Sequence, residues 1–246
     1  MKNTVQENQA VAAMQSTGRV DLYAGIHKAM RALMVDTLMA VGRMDPMDTA
    51  ELASVSGRVL ELLDFCAVHA EHENTFIHAA IEARAPGGSE VVAHEHDDHL
   101  KYIGRIKSAV AGIWSMADTR SAAPAVLDLY RDLALFIACS FQHMHVEETA
   151  HNAVLWARYT DAELIEIHNN LVASILPADM MFTLRWMVPY MNPGERTAML
   201  SDMQAHAPAP AFGAALDVVQ PHLTLPEWAK LTHSLGIAPA RGLVQA

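Results

Sequence analysis

The chain has 246 residues, 52% of them hydrophobic and 18% charged, which supplies a core for one large domain or a domain with a subdomain and leaves little material for long disordered stretches. Its formal net charge of −11 gives a surface that repels phosphate backbones and anionic lipid, so neither nucleic acid nor a membrane is expected as a partner. Two cysteines are no disulfide framework, no secretory leader is recognisable, and no uncharged apolar run approaches the roughly 20 residues that span a bilayer. A reducing cytoplasm is therefore the expected compartment. The unusual count is 14 histidines, and they are clustered.

Residues 1–17 read as a flexible N-terminus, and the tail after Gly236 as frayed. Four long segments then return apolar residues every three to four positions, as helices with one buried face do. The first, about 18 to 41, carries Val20, Tyr23, Met30, Met34, Leu38 and Val41 on one face. The second, about 49 to 84, has Asp48 and Glu51 as a start signal and stops at Ala85-Pro86-Gly87-Gly88. The third, 89 to about 116, turns Ile103, Ile106, Val110 and Ile113 inward, and the fourth runs from about 123 to 159. Long amphipathic helices with short connections predict an all-α, up-down four-helix bundle over 18–159.

From 160 to 246 the spacing changes to short, proline-punctuated segments, which predict a C-terminal helical extension. Thr160 to Glu163, Asn192 to Glu195 and Thr224 to Glu227 each have the form of a helix start. Met180, Met181, Phe182, Leu184, Trp186 and Met187 give this extension an apolar surface. It is expected either to pack as a subdomain or to dock a protein partner or a second copy of the chain.

The second helix contains His69-Ala-Glu-His72-Glu73. Residues four apart share a helix face, so His69 and Glu73 interrupt the apolar stripe of Leu62, Phe65, Cys66, Phe76 and Ala80. The fourth helix repeats the device: His143 and Glu147 share a face with Leu129, Phe136, Cys139, Ser140, Ala150 and Val154. His27 lies mid-stripe on the first helix and His99 on the third, with His96 one turn away at the stripe's edge. The pattern is an internal repeat, because His27 precedes His99 by 72 residues, His69 precedes His143 by 74 and Glu73 precedes Glu147 by 74. His99 is preferred to His96 as the third helix's ligand because it fits that repeat, and both are retained.

Inward ionisable groups on four apolar stripes would each cost about 2–7 kcal/mol or more if left uncompensated. A shared divalent cation compensates them together. Imidazole with carboxylate suits iron, and also zinc, manganese or copper. Two six-coordinate ions account for the ligand count if Glu73 and Glu147 bridge, four histidines bind terminally and an oxo or hydroxo group bridges as well. That arrangement leaves one or two positions open for a small diatomic molecule. Tyr23, His72 and His151 are candidates for hydrogen bonds to the ligands; His78, His94 and His145 are read as solvated, and Cys66 and Cys139 as small core fillers.

The order His27, His69-x-x-x-Glu73, His99 or His96, His143-x-x-x-Glu147 resembles the hemerythrin-like, HHE cation-binding proteins over about residues 22–157. The proline-punctuated segment also resembles the tail of some bacterial members. The resemblance implies a four-helix bundle with a diiron centre and a role in binding, sensing or handling oxygen, nitric oxide or iron. Oxygen carriers have His-x-x-x-His on the third helix and His-x-x-x-x-Asp on the fourth. Here the third-helix histidines stand at 94, 96 and 99, and Glu147 follows His143 by four, with Glu148 beside it. Both departures point away from reversible oxygen carriage.

Three functions are consistent with the chain. The leading one is a non-enzymatic iron protein that binds or senses a small molecule. A diiron oxidase, peroxidase or ferroxidase is the second, although such sites use more carboxylates. The third is a signalling module whose extension responds to the metal state.

Overall fold

The structure is a computed structural model, and it describes residues 18–116 and 122–237. The sequence expectations for 1–17 and for the last residues of the tail fall outside the described residues. Among the described residues every element is helical, so the all-α expectation holds. The chain divides into two compact units, Met30–Arg158 and Met1–Ala29 with Tyr159–Ala246. Helix α1 (Ala24–Arg43) contributes to both.

The Met30–Arg158 unit is a bundle of four rods. After α1 comes a rod built from α2 (Thr49–His72), a π-helical turn (Glu73–His78) and α3 (Ala79–Arg84). The third rod is α4 (Glu90–Trp114). The last is α5 (Ala122–Val146), a second π turn (Glu147–His151) and α6 (Asn152–Arg158). Asp48 caps α2 as expected, accepting from the amides of Ala50 and Glu51. The core is made by Leu33, Leu62, Leu63, Ile106, Leu129 and Leu133, each at most 1% exposed. Burying one such side chain contributes about 1.5–3 kcal/mol.

The break after α3 has a local cause. Gly87 sits at φ +81°, where side chains are strained, and a Cβ on Gly88 would meet the Ala85 carbonyl oxygen at 2.8 Å. The Glu82 carboxylate accepts from the Gly87 amide (2.7 Å), the Ser89 amide (3.0 Å) and the Ser89 hydroxyl (2.7 Å). These bonds, the one from the Gly87 amide foremost, hold its carboxyl at about 2.

In the second unit, α7 (Asp161–Ser174), α9 (Pro193–His206) and α11 (Leu225–Ser234) begin at the helix starts read from sequence, and each has a reciprocal cap, at Thr160, Asn192 and Thr224. Helices α8 (Pro177–Met187) and α10 (Ala209–Val219) start on proline or just before it. Leu184, Val188, Leu200, Val219, Trp228 and Leu231 form a core of this unit's own. Buried Arg196 ties three segments together, donating to the carbonyls of Val188, Pro189 and Met191 and to the Glu227 carboxylate. Among the described residues, no single helix is long and apolar enough to cross a membrane.

Candidate metal centre

The two π turns determine what faces the interior of the bundle. An α-helical period after Glu73 would turn Phe76 and Ala80 inward, and after Glu147 it would turn Ala150 and Val154 inward. A π turn holds one more residue than an α turn, so the inward register slips by one. The buried residues are instead Ile77, His78 and Ile81 on one rod and His151, Asn152 and Leu155 on the other. This corrects the expected stripes. It also corrects the reading of His78 as solvated: His78 is 4% exposed and His151 3%. Cys139, expected as core filler, is exposed, whereas Cys66 is buried.

The π turns begin 74 residues apart, at the two repeat-related glutamates. Both glutamates are enclosed, Glu73 at 1% and Glu147 at 0% exposure. Nε2 of His69 lies 3.1 Å from Oε1 of Glu73, and Nε2 of His143 lies 3.2 Å from Oε1 of Glu147. His96 reaches both carboxylates, with its Nε2 3.4 Å from Glu73 Oε2 and 3.6 Å from Glu147 Oε1. The preference for His99 is thereby reversed at the carboxylates. His99 instead sets its ring 4.8 Å from that of His143 and edge-on to Phe136.

Ligand atoms of Glu73, His96, His143 and Glu147 all lie within 4.8 Å of one another, the spread expected around one cation. His78, Glu147 and His151 form a second such group. The His78 ring stacks on His96 at 5.0 Å and meets His151 edge-on at 5.2 Å, and neither of its nitrogens has a hydrogen-bond partner. His27 is fully buried on α1, four residues after buried Tyr23, whose ring lies 5.4 Å away. His72 is half-buried beside Phe76. Glu148, the neighbour of Glu147, points elsewhere and forms a two-pronged ion pair with Arg31 at 2.6 and 2.9 Å.

The electrostatics divide the histidines into two sets. Burial works against a charge on His96, but hydrogen bonds and attraction from Glu147 and Glu73 outweigh it and raise its pKa to about 9. His143 is raised against burial in the same way, by Glu147 and then Glu95. Glu147 is pushed up by burial and by Glu73, yet His143 and His96 hold it below the usual carboxylate range. His78 and His99 are lowered to about 4 by burial first and then by neighbouring imidazoles, and His151 is lowered by burial. A proton on an Nε2 and a cation in front of it are alternative ways of neutralising the same carboxylates, so cation binding displaces the proton.

Two residues absent from the sequence reading complete the geometry. Nδ1 of His143 is bonded to Oε2 of Glu95 at 2.7 Å, and Nδ1 of His96 to Oδ1 of Asn74 at 2.8 Å. Each immediately precedes or follows a cluster residue in the chain, and no motif distinguishes it. Beside the cluster is a cavity of about 20 Å³, lined among others by His69, His99, His143, Met34, Cys66 and Phe136. A void of this size admits a water or a molecule of comparable size. Burial pushes the Cys66 thiol up to about 12, and its side chain lines the cavity.

The donor set is thus imidazole nitrogen and carboxylate oxygen. Its convergence on two buried carboxylates, with the unpartnered nitrogens of His78 close by, fits a transition-metal cation. No curated protein and no solved structure matches the chain. The family model described as the hemerythrin HHE cation binding domain matches residues 19–151. The chain belongs to the hemerythrin HHE cation-binding family.

Proposed function

We propose that this protein is a non-haem iron protein whose bundle holds a pair of irons and uses them to bind or sense a small diatomic molecule, oxygen or nitric oxide. The observation that carries the reading is the convergence of His96 and His143 on two enclosed carboxylates, beside a cavity of about 20 Å³. His69, Glu73, His96, His143 and Glu147 would hold the metal. His27 joins them because it shares a stripe of α1 with Met30 and Met34, which line the cavity. His78 and His151 extend the supply of nitrogen on the far side of Glu147.

Bound iron would supply reversible redox chemistry and affinity for diatomic ligands. The chain's own part is to fix the ligands and restrict access. Apolar Met34 and Phe136 limit the cavity to small molecules, and His99, held neutral, faces it as a hydrogen-bonding group. The enzyme reading needs additional carboxylates at the metal. Two carboxylates that neighbour cluster residues in the chain are committed elsewhere, Glu148 to Arg31 and Glu95 to a ring nitrogen. Free thiols at Cys66 and Cys139 support a cytoplasmic setting.

Metal analysis with optical spectra, taken anaerobically and then in air or nitric oxide, tests this reading. About two irons per chain are expected, from two six-coordinate ions sharing the ligand set, with a charge-transfer band that changes on exposure. Full iron with a spectrum indifferent to oxygen, nitric oxide and peroxide would refute the sensing role.

A further inference from the structure

The cluster histidines have two nitrogens each, and only one can face a cation. His143 presents Nε2 to Glu147 while Nδ1 is bonded to Glu95 (2.7 Å), on the neighbouring rod α4. His96 presents Nε2 to both glutamates while Nδ1 is bonded to Asn74 (2.8 Å), in the first π turn. The bonding runs in series across three rods: the π turn of the second rod supplies the acceptor for a ring on α4, and α4 supplies the acceptor for a ring on α5. Carboxylate and amide oxygens only accept, so in this arrangement both rings carry a proton on Nδ1, which leaves Nε2 as the nitrogen that can bind a cation once its own proton is displaced.

We infer that Glu95 and Asn74 are positioning residues of the metal centre, which lock His143 and His96 into the tautomer and ring orientation that a cation requires. Neither is a ligand. Glu95 is 42% exposed and Asn74 is also on the surface, so the two link the solvent-facing side of the bundle to its interior. Neither residue is buried, and the oxygen atoms that bond the rings are the feature they share. The inference rests on the metal reading given above.

The test uses the full chain, titrated anaerobically with ferrous iron and followed by calorimetry, beside thermal melts of the metal-free protein. Glu95→Ala and Asn74→Ala are each expected to weaken iron affinity by about 10–100-fold, as removal of a ligand's hydrogen-bond partner does elsewhere. Their metal-free melts should match that of the parent chain. Glu95→Gln keeps an acceptor oxygen and should recover most of the lost affinity. Asp98→Ala removes a neighbouring surface carboxylate that pairs with Lys101 and His94 and bonds neither His96 nor His143 among the described residues, and it should leave affinity unchanged. Unaltered affinity in both alanine variants would overturn the inference, as would equal losses in Asp98→Ala. A parent chain that takes up no iron would instead refute the metal reading itself.

Discussion

Glu147→Ala should lose most of its metal. Glu147 is fully enclosed and belongs to two cation-sized groups, one with Glu73, His96 and His143 and one with His78 and His151. Removing it takes away an oxygen donor and half of the negative charge that the cluster offers. Losing a group that only supports a ligand costs about 10–100-fold in affinity, so losing this carboxylate should cost more than about 100-fold. Glu73→Ala should behave similarly at the His96 and His143 group while sparing the one formed by His78, Glu147 and His151. Iron content after anaerobic loading and desalting checks both. Full iron retained in Glu147→Ala would show that the carboxylates are not ligands.

Removing the metal should also lower the melting temperature substantially. A cation that binds only the folded chain, supplied at about 1,000 times its dissociation constant, stabilises by about 4 kcal/mol. For a chain of this size that corresponds to a shift of roughly 8–16 °C. The source of the stabilisation is specific. Burying Glu73 and Glu147 takes two carboxylates out of water, and the cation returns part of that cost by neutralising them together. Melts with iron and with a strong chelator should differ by that margin, whereas identical melts would mean that folding and metal are not coupled.

The fold was largely legible in the residues because its determinants are local. Asp48, Thr160, Asn192 and Thr224 announce helix starts by capping chemistry that depends on three or four consecutive positions. Gly87 and Gly88 mark a break for reasons confined to their own backbone. The pairing of His69 with Glu73, and of His143 with Glu147, was legible for the same reason, since four residues is an α-helical turn.

What stayed hidden depends on geometry that a fixed helical period does not describe. His78 is five residues after Glu73, which an α-helix rotates far off the stripe, and only the π turn brings it inside. The same slip buries Asn152 and turns Ala150 out. On α4, His96, Ile103 and Val110 recur every seven residues, as do His99, Ile106 and Ile113, so two seams face inward and spacing alone does not choose between them. The approach of two glutamates to His96 does choose. Glu95 and Asn74 were invisible because their role is defined by a ring nitrogen on another rod.

The most direct test is X-ray absorption at the iron edge of the loaded full-length protein. The arrangement of His69, His96 and His143 around Glu73 and Glu147 predicts a first shell of nitrogen and oxygen only, with the outer-shell scattering of imidazole rings and a nearby second iron. A shell containing sulfur, or one of oxygen alone without imidazole, would contradict it.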